Sequence, residues 1–172
     1  MIVIDTVKGE DYKAVFKLAG DIEGIVQHAE HVYKIMADHF GDSFFIAQEK
    51  KEDGSSIVLG FMMGLMSRRF KGQLFVWQIA VSRKSQGKKL GSSLLKHTLD
   101  YAHKCKDCKE VMATVETTNI GSQRLFEKLG FRIHSEKFRN PDQILTVENG
   151  KEAVQNYYGS GTDQIFYLLK IR

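Results

Sequence analysis

Several kinds of residue and segment are scarce in this sequence, and each scarcity excludes a class of protein. One proline among 172 residues, together with 27% charged residues, argues against a disordered or proline-rich chain. No apolar run approaches about 18 residues, so no transmembrane helix is predicted. A signal peptide has a basic stretch ahead of its apolar residues, and this N-terminus has none, so we expect a cytoplasmic protein.

Cysteine is also scarce, since Cys105 and Cys108 are the only two and form a Cys-x-x-Cys pair. A structural zinc site needs four ligands, and no second cysteine pair exists, although His97 and His103 lie nearby. A redox-active pair should open a helix after a strand, whereas this pair follows the predicted end of a helix. We therefore expect two incidental thiols and no metal site.

The composition otherwise fits a globular protein. An apolar fraction of 42% is enough for a hydrophobic core, so we expect one domain over residues 1–172. The formal net charge of +4 is mild; it suits an anionic cofactor and does not require nucleic acid. We expect neither a nucleic-acid nor a membrane partner, and a homodimer is compatible with the sequence.

The most informative stretch runs from Gln73 to Leu95. Its apolar first part, Leu74 to Val81, predicts a strand buried on both faces. A polar turn containing Gly87 follows, and leucines at helical spacing then predict a helix that begins near Lys89. A strand, a glycine turn and a helix N-terminus form an anion site, because free backbone N–H groups converge there and the helix dipole favours negative charge. The alternative is an ordinary turn with solvated lysines.

The rest of the sequence predicts a mixed α/β fold with helices on both faces of the sheet. Before this stretch we expect a strand at Ile2–Ile4, a helix opening at Gly9–Asp11, a helix from Ala29 to Phe40 with Val32, Ile35, Met36 and His39 on its inner face, and a hairpin of Ser43–Gln48 with Ile57–Met66. After it we expect a strand at Val111–Val115, a helix at Asn119–Leu129, strands at Phe131–Phe138 and Gln164–Ile171, and an irregular segment Arg139–Thr162 with one short helix around Ala153. The total is about seven strands and about four helices.

The glycine turn resembles the pyrophosphate loop of the GNAT superfamily of N-acetyltransferases. The family pattern is Gln/Arg-x-x-Gly-x-Gly/Ala after a strand, and here it is Gln86-Gly87-Lys88-Lys89-Leu90-Gly91. Lys89 stands at the position of the usual middle glycine. A lysine with positive φ would be strained, so we expect Lys89 to have helical φ and ψ as part of the first turn.

A second motif supports the same resemblance. The family's later signature is Asn-x-x-Ala-x-x-Leu-Tyr-x-x-x-Gly-Phe, and it corresponds here to the segment from Asn119 to Phe131. Ser122 replaces the alanine and Phe126 replaces the tyrosine. The resemblance implies that Asn119 contacts the cofactor, while a simple helix cap is the other interpretation.

The resemblance implies the GNAT fold and acetyl-CoA as co-substrate, without a metal ion. It places the cofactor in a cleft where two parallel central strands, ending at Val81 and near Val115, splay apart. The implied cofactor-binding residues are Ile79, Ala80, Val81, Gln86, Gly87, Lys88, Lys89, Leu90, Gly91, Ser92, Asn119, Ser122 and Phe126. A substrate amine then attacks the thioester directly in a ternary complex. This chemistry needs an amine proton removed, the carbonyl polarised and the thiolate protonated.

Two side chains that transfer protons in the family are absent. Phe75 stands at the position of a catalytic glutamate on the central strand, and Phe126 stands at the position of a tyrosine acid. Glu116, at the carboxyl end of the fifth strand, is the first candidate base, and His39 is the second. A solvated strand-end acid and a histidine that ends a helix are the simpler interpretations of these two residues.

A narrower resemblance concerns the substrate. The central strand around Trp77, the His39-Phe40 pair and the Ser122–Phe126 segment resemble the diaminobutyrate acetyltransferases of ectoine biosynthesis, which acetylate a small diamino acid. The implied substrate-binding residues are Trp77, Gln78, His39 and Glu116. A core aromatic is the alternative for Trp77.

One segment departs from this narrower family. It carries a polar Asn-Ser-x-Tyr stretch where this chain has His28-Ala29-Glu30-His31. We therefore expect a small-molecule N-acetyltransferase, with a diamino acid as a candidate substrate. A protein lysine or N-terminal acetyltransferase and a non-catalytic acetyl-CoA-binding module are the alternatives.

Overall fold

The computed structural model describes residues 1–172. Its helices and strands, in chain order, are β1 (Ile2–Thr6), α1 (Asp11–Gly20), α2 (Glu30–Phe40), β2 (Phe44–Lys50), β3 (Ser56–Met66), β4 (Gln73–Val81), α3 (Leu90–Lys104), β5 (Glu110–Glu116), α4 (Ile120–Lys128), β6 (Arg132–Ile133), α5 (Ser135–Phe138), β7 (Leu145–Glu148), β8 (Lys151–Val154) and β9 (Gln164–Lys170). None of the helices is both long and apolar enough to cross a membrane.

The strands form one mixed sheet in the order β1-β2-β3-β4-β5-β9-β8-β7, and β6 pairs with β9. Only β4 and β5 run parallel; every other pair is antiparallel. The parallel pair needs a crossover, and α3 supplies it. The predicted fold class, a mixed sheet with splayed central strands, is confirmed, with nine strands and five α-helices in place of about seven and about four.

Helices cover both faces of the sheet. On one face, α3 and α4 bury Leu94, Leu95 and Phe126 against the odd-numbered residues of β5. On the other face, α1 and α2 bury Val15 and Tyr33 against β2 and β3. Burial of one such leucine contributes about 1.5–3 kcal/mol, so these two layers hold the strand ends in fixed positions.

The inner face of α2 differs from the predicted one. Tyr33 and Met36 are fully buried, whereas Ile35 is 48% exposed and His39 is exposed. The prediction was therefore wrong for Ile35 and His39. The difference arises because the large Tyr33 ring packs against Phe61, so the buried stripe of α2 is centred on the side of Tyr33.

The chain after α4 differs most from the prediction. The expected strand Phe131–Phe138 is only β6, because the next residues form α5 and the Ser135 hydroxyl accepts the Phe166 N–H at 3.1 Å in place of a ladder bond. The expected short helix around Ala153 is wrong. That residue lies in the β7–β8 hairpin, whose turn, Asn149-Gly150, has φ of 52° and 73°.

Candidate active site

The site begins where β4 and β5 separate. These strands pair only from Gln73 to Val76 on β4 and from Glu110 to Ala113 on β5. Opposite, on β3, the register shifts between Met63 and Gly64, so Trp77 is an extra residue on β4. Such a bulge bends its strand, and it lies where the pairing stops. The predicted splay is confirmed.

A cleft of about 1330 Å³ follows the splay. The predicted site residues that line it are Trp77, Gln78, Ile79, Ala80, Val81, Gln86, Gly87, Lys89, Leu90, Gly91, Ser92, Glu116, Asn119, Ser122 and Phe126. Two predicted residues do not line it. Lys88 is exposed on the outside of its turn, and His39 is exposed in the last turn of α2, which leads into β2 two strands away from β4.

The turn before α3 presents free N–H groups to the cleft. The N–H groups of Gln86 and Lys88 are bonded inside the turn, to Ser82 O at 3.1 Å and Ser85 O at 3.4 Å. Those of Gly87, Lys89, Leu90, Gly91 and Ser92 have no partner within the protein. Several unpaired donors at a helix N-terminus form an anion site.

Lys89 adopts a conformation that the sequence did not predict. It has φ of 63° and ψ of 12°, in the left-handed region, and α3 begins only at Leu90. The expectation of helical φ and ψ was wrong. Gly87 also has positive φ, 78°, and these two residues reverse the chain over a few positions. The left-handed region costs a non-glycine residue roughly 1–2 kcal/mol, so the turn is strained at Lys89.

Asn119 caps α4. Its side-chain oxygen accepts the Ser122 N–H at 3.0 Å, and an Asn at this position satisfies one free donor of the helix end. The interpretation as a helix cap is confirmed. Contact between Asn119 and a cofactor stays a prediction, although the residue lines the cleft.

Glu116 is the last residue of β5, and its exposed side chain lies at the cleft. The apolar residues of the strand alternate between two faces, because Val111, Ala113 and Val115 join one core and Met112 joins another on the opposite face. Thr114 and Glu116 join neither core and line the cleft, as Ala113 and Val115 also do.

A polar network that includes Gln123 of α4 fixes the end of β5. Gln123 of α4 is 2% exposed, and its Nε2 donates to the carbonyl oxygens of Glu116 at 3.1 Å and Thr117 at 2.8 Å. Its Oε1 accepts from Lys151 Nζ at 3.0 Å, and Lys151 pairs with Glu127 at 2.6 Å. The hydrogen bond from Lys151 lowers the pKa of Glu127. The network therefore links the hairpin to the position of Glu116.

The loop between α1 and α2 lies along the cleft beside β4. Gln78 Nε2 donates to Val26 O at 2.7 Å, and its Oε1 accepts from the Tyr33 hydroxyl at 3.4 Å. The His28 ring lies 4.9 Å from the Trp77 ring, and burial lowers the pKa of His28. Trp77 is 38% exposed, so it is a wall of the cleft and not a core aromatic.

The two phenylalanines that replace family proton-transfer residues are packing residues. Phe126 is 2% exposed and lies between Phe131, at 5.0 Å, and Tyr167, at 5.8 Å between ring centroids. Phe75 packs against the cluster that contains Met112. Neither side chain carries a proton that the chemistry can use.

Sequence reasoning missed three parts of the lining. These are residues 22–26 with His28, the residue Tyr158, and the pair Thr162 and Gln164. Tyr158 follows β8, and its hydroxyl lies 3.1 Å from Thr114 Oγ1. The only signal was a Tyr157-Tyr158 pair inside a polar segment.

The cysteine pair lies away from this cleft, between α3 and β5. Cys105 is half-buried and Cys108 is buried. Burial raises the pKa of the Cys108 thiol, so its reactive thiolate is disfavoured. Nowhere in the chain do three or more His, Cys, Asp or Glu side chains approach closely enough to hold a metal ion.

Comparison with known proteins places this geometry in a family. The model of the acetyltransferase (GNAT) family matches residues 12–131, more than half of the chain. An L-2,4-diaminobutyric acid acetyltransferase of Shouchella clausii is 32% identical over 120 residues, which cover 70% of this chain and 64% of that protein. The chain thus spans less than two thirds of that relative's length.

Solved structures share the fold. The diaminobutyrate acetyltransferase of Paenibacillus lautus, in complex with its substrate L-2,4-diaminobutyric acid and coenzyme A, has a TM-score of 0.73 at 20% identity, covering 100% of this chain and 96% of that chain. The NatC complex bound to Gag peptide and CoA has a TM-score of 0.76 at 19% identity, covering 98% of each chain. Because the family model matches residues 12–131, the chain belongs to the acetyltransferase (GNAT) family.

Proposed function

We propose that this protein transfers an acetyl group from acetyl-CoA to a primary amine of a small diamino acid such as L-2,4-diaminobutyrate. One observation carries the proposal. A single cleft joins the free N–H groups before α3, the edge of β4 that β5 leaves free beyond Val76 and the carboxylate of Glu116. The N–H groups provide a site for an anionic group, and the free edge of β4 can hydrogen-bond an extended amide chain. The Glu116 carboxylate provides a site for an ammonium group.

The cofactor half of the cleft uses backbone groups. The N–H groups of Gly87 and Lys89–Ser92, with the dipole of α3, bind the pyrophosphate. The backbone of Ile79 and Val81, at the end of β4 that β5 no longer pairs, hydrogen-bonds the pantetheine arm. Phe126 packs beside the cofactor as an apolar wall.

The amine half of the cleft supplies charge. The Glu116 carboxylate attracts the substrate ammonium and accepts its proton, directly or through a water. The neutral amine then attacks the thioester carbonyl carbon. The aromatic face of Trp77 is a second favourable contact for a cation, because a ring face carries partial negative charge.

Support for a small diamino acid comes from two sources. The relatives in Shouchella clausii and Paenibacillus lautus are named for diaminobutyrate. The α1–α2 loop is also fastened along the cleft by Gln78 and Tyr33, and a bound loop there favours a compact substrate over an extended peptide. The segment from His28 to His31 differs from the diaminobutyrate enzymes, so a related diamine is the alternative substrate.

The test is an acetyl-transfer assay against a panel of amines: L-2,4-diaminobutyrate, other diamino acids, polyamines and a lysine peptide. We expect CoA release with the largest kcat/KM for a diamino acid and a mass increase of one acetyl group in that product. Preference for the peptide would favour the protein acetyltransferase. Binding of acetyl-CoA, seen as a raised Tm, with no transfer to any amine would favour the non-catalytic module.

Two further expectations stay predictions. They are a cytoplasmic location and a homodimer.

A further inference from the structure

The proposed reaction leaves one proton without a donor. When the C–S bond of the tetrahedral adduct breaks, its electron pair goes to sulfur, and the thiolate must gain a proton. Phe126 stands where the family places a tyrosine for this step, and it carries no ionisable group. A donor, if one exists in this chain, has to come from another element.

Only one of the six tyrosines lines the cleft, and it is Tyr158. The Tyr167 ring stacks on Phe126, but its hydroxyl already donates to Glu127 at 2.8 Å and the residue is fully buried. The hydroxyl of Tyr33, also fully buried, is bonded to Gln78 and accepts the His28 N–H at 3.3 Å. Neither of these two hydroxyls reaches a ligand in the cleft.

The loop between β8 and β9 holds Tyr158 in a defined position. Asn156 has φ of 51°, and its side-chain oxygen accepts the Gly161 N–H at 2.6 Å. The Thr162 hydroxyl accepts the Tyr158 N–H at 3.2 Å and donates to Gly159 O at 2.7 Å. Because hydrogen bonds within the loop hold it in this way, its side chains are positioned before any ligand binds.

Each of the two adjacent tyrosines of this loop has a separate place. The Tyr157 ring packs edge-on against Phe166, 4.8 Å away, in the core behind β9. The Tyr158 hydroxyl lies 3.1 Å from Thr114 Oγ1 on β5, two residues before Glu116. The phenol is therefore attached to the splayed strand that forms one side of the cleft.

We propose that the Tyr158 hydroxyl is the general acid that protonates the departing CoA sulfur, a role that rests on the proposed acetyl transfer. The new N–C bond forms as the amine proton leaves to Glu116 or water. The C–S bond then breaks, the sulfur takes the phenol proton, and the phenolate regains a proton from solvent. Thr114 orients the phenol through the hydrogen bond between the two hydroxyls.

The electrostatics of the loop agree with an intact O–H group. Tyr158 is 59% exposed, and its partial burial raises its pKa, while the hydrogen bond with Thr114 opposes this in part. The other ionisable groups that line this cleft are Lys89 before α3, Glu116 on β5, and Glu23 and His28 in the α1–α2 loop. The Tyr157 ring packs edge-on against the Tyr158 ring within their own loop. A tyrosine whose pKa lies above its ordinary value of about 10 keeps its proton at neutral pH.

The first experiment is Tyr158→Phe with Tyr157→Phe as the matched control, since each change removes one hydroxyl from the same loop. For Tyr158→Phe we expect kcat to fall about 100-fold, with the KM values for acetyl-CoA and amine within about threefold of wild type. We expect Tyr157→Phe to keep nearly full kcat. Unchanged Tm shifts with acetyl-CoA show that each variant folds and binds.

The second experiment tests the proton itself. A fluorinated tyrosine at position 158 is a more acidic phenol of nearly the same size. It should move the descending limb of the kcat pH profile to lower pH, whereas the same replacement at position 157 should leave that limb in place.

Three outcomes overturn the proposal. They are a Tyr158→Phe variant with wild-type kcat, a variant in which only the amine KM rises, and a descending limb that ignores the fluorinated residue. If the wild-type protein itself acetylates no amine, the proposed function fails first and Tyr158 has no step to catalyse.

Discussion

The two walls of the cleft are built in different ways. The wall formed by β4 and α3 presents mainly backbone N–H groups from one continuous segment, Gly87 to Ser92. The wall formed by β5 and the β8–β9 loop presents side chains, Glu116 and Tyr158, that are 42 positions apart in the chain. The first wall suits a ligand group shared by many enzymes, and the second can change its chemistry by substitution.

The two walls differ in how easily a substitution can change the chemistry of the site. A backbone donor is present whatever the residue, provided that the turn keeps its shape. A side-chain acid or base is lost with a single substitution. In this chain Phe75 and Phe126 stand at the positions where the family has its proton-transfer residues. The polar side chains come from β5 and from the loop after β8. Each wall can be altered by substitutions that leave the other wall unchanged.

The largest expected effect is on the backbone wall. Gly87→Asp places a carboxylate beside the proposed pyrophosphate site, where like charges about 4 Å apart repel by roughly 4 kcal/mol at an effective dielectric constant of about 20. Since solvent reduces this, we expect acetyl-CoA affinity to fall about 100-fold, measured by calorimetry. Gly54→Asp is the matched control, because Gly54 has the same positive φ, 82° against 78°, in the β2–β3 turn. If the two variants bind acetyl-CoA with equal affinity, no anionic group of the cofactor lies at this turn.

A comparable effect is expected on the side-chain wall. Glu116→Gln keeps size and hydrogen bonding but removes charge and basicity. If Glu116 is the base, kcat should fall by about 100-fold and the ascending limb of the kcat/KM pH profile should move or vanish. If it only attracts the ammonium, the amine KM should rise at nearly constant kcat.

The control for this experiment is Glu148→Gln, an exposed carboxylate on the outer hairpin strand. Acetyl-CoA affinity should stay unchanged in both variants, because the two walls act on different ligands. Wild-type kcat and amine KM in Glu116→Gln would exclude this residue from the site.

The smallest effect separates conformation from charge on the backbone wall. Lys89→Gly relieves the left-handed strain and should raise the free energy of unfolding by about 1 kcal/mol relative to Lys88→Gly, which removes the same charge without positive φ. Denaturant unfolding of both variants measures the difference. Equal stabilities would show that Lys89 is not strained.

Local patterns predicted the backbone wall, and distant contacts determined the other. Residues 73–95 contain the strand, turn and helix in one segment, so the anion site followed from sequence alone. The conformation of Lys89 did not, because lysine rarely adopts positive φ and the sequence shows no partner that imposes it. The pairing of Tyr158 with Thr114 spans 44 positions, and no local rule connects such residues.

One signal was present and overlooked. Asn149-Gly150 between two four-residue segments is typical of a two-residue hairpin turn. The polar composition of Arg139–Thr162 concealed it. Ala153 and Val154, both fully buried, join separate hydrophobic clusters on opposite faces of β8.

The position of β9 in the sheet has a consequence for the order of assembly during synthesis. All seven residues of β5 pair with β9, which is made more than 45 residues later, while only four pair with β4. A growing chain can therefore form β1–β4, α1–α3 and the turn before α3 while β5 still lacks its main neighbour. Because such non-local pairing is slow, we expect the turn before α3 to form early in synthesis and the side of the cleft that carries Tyr158 to form last.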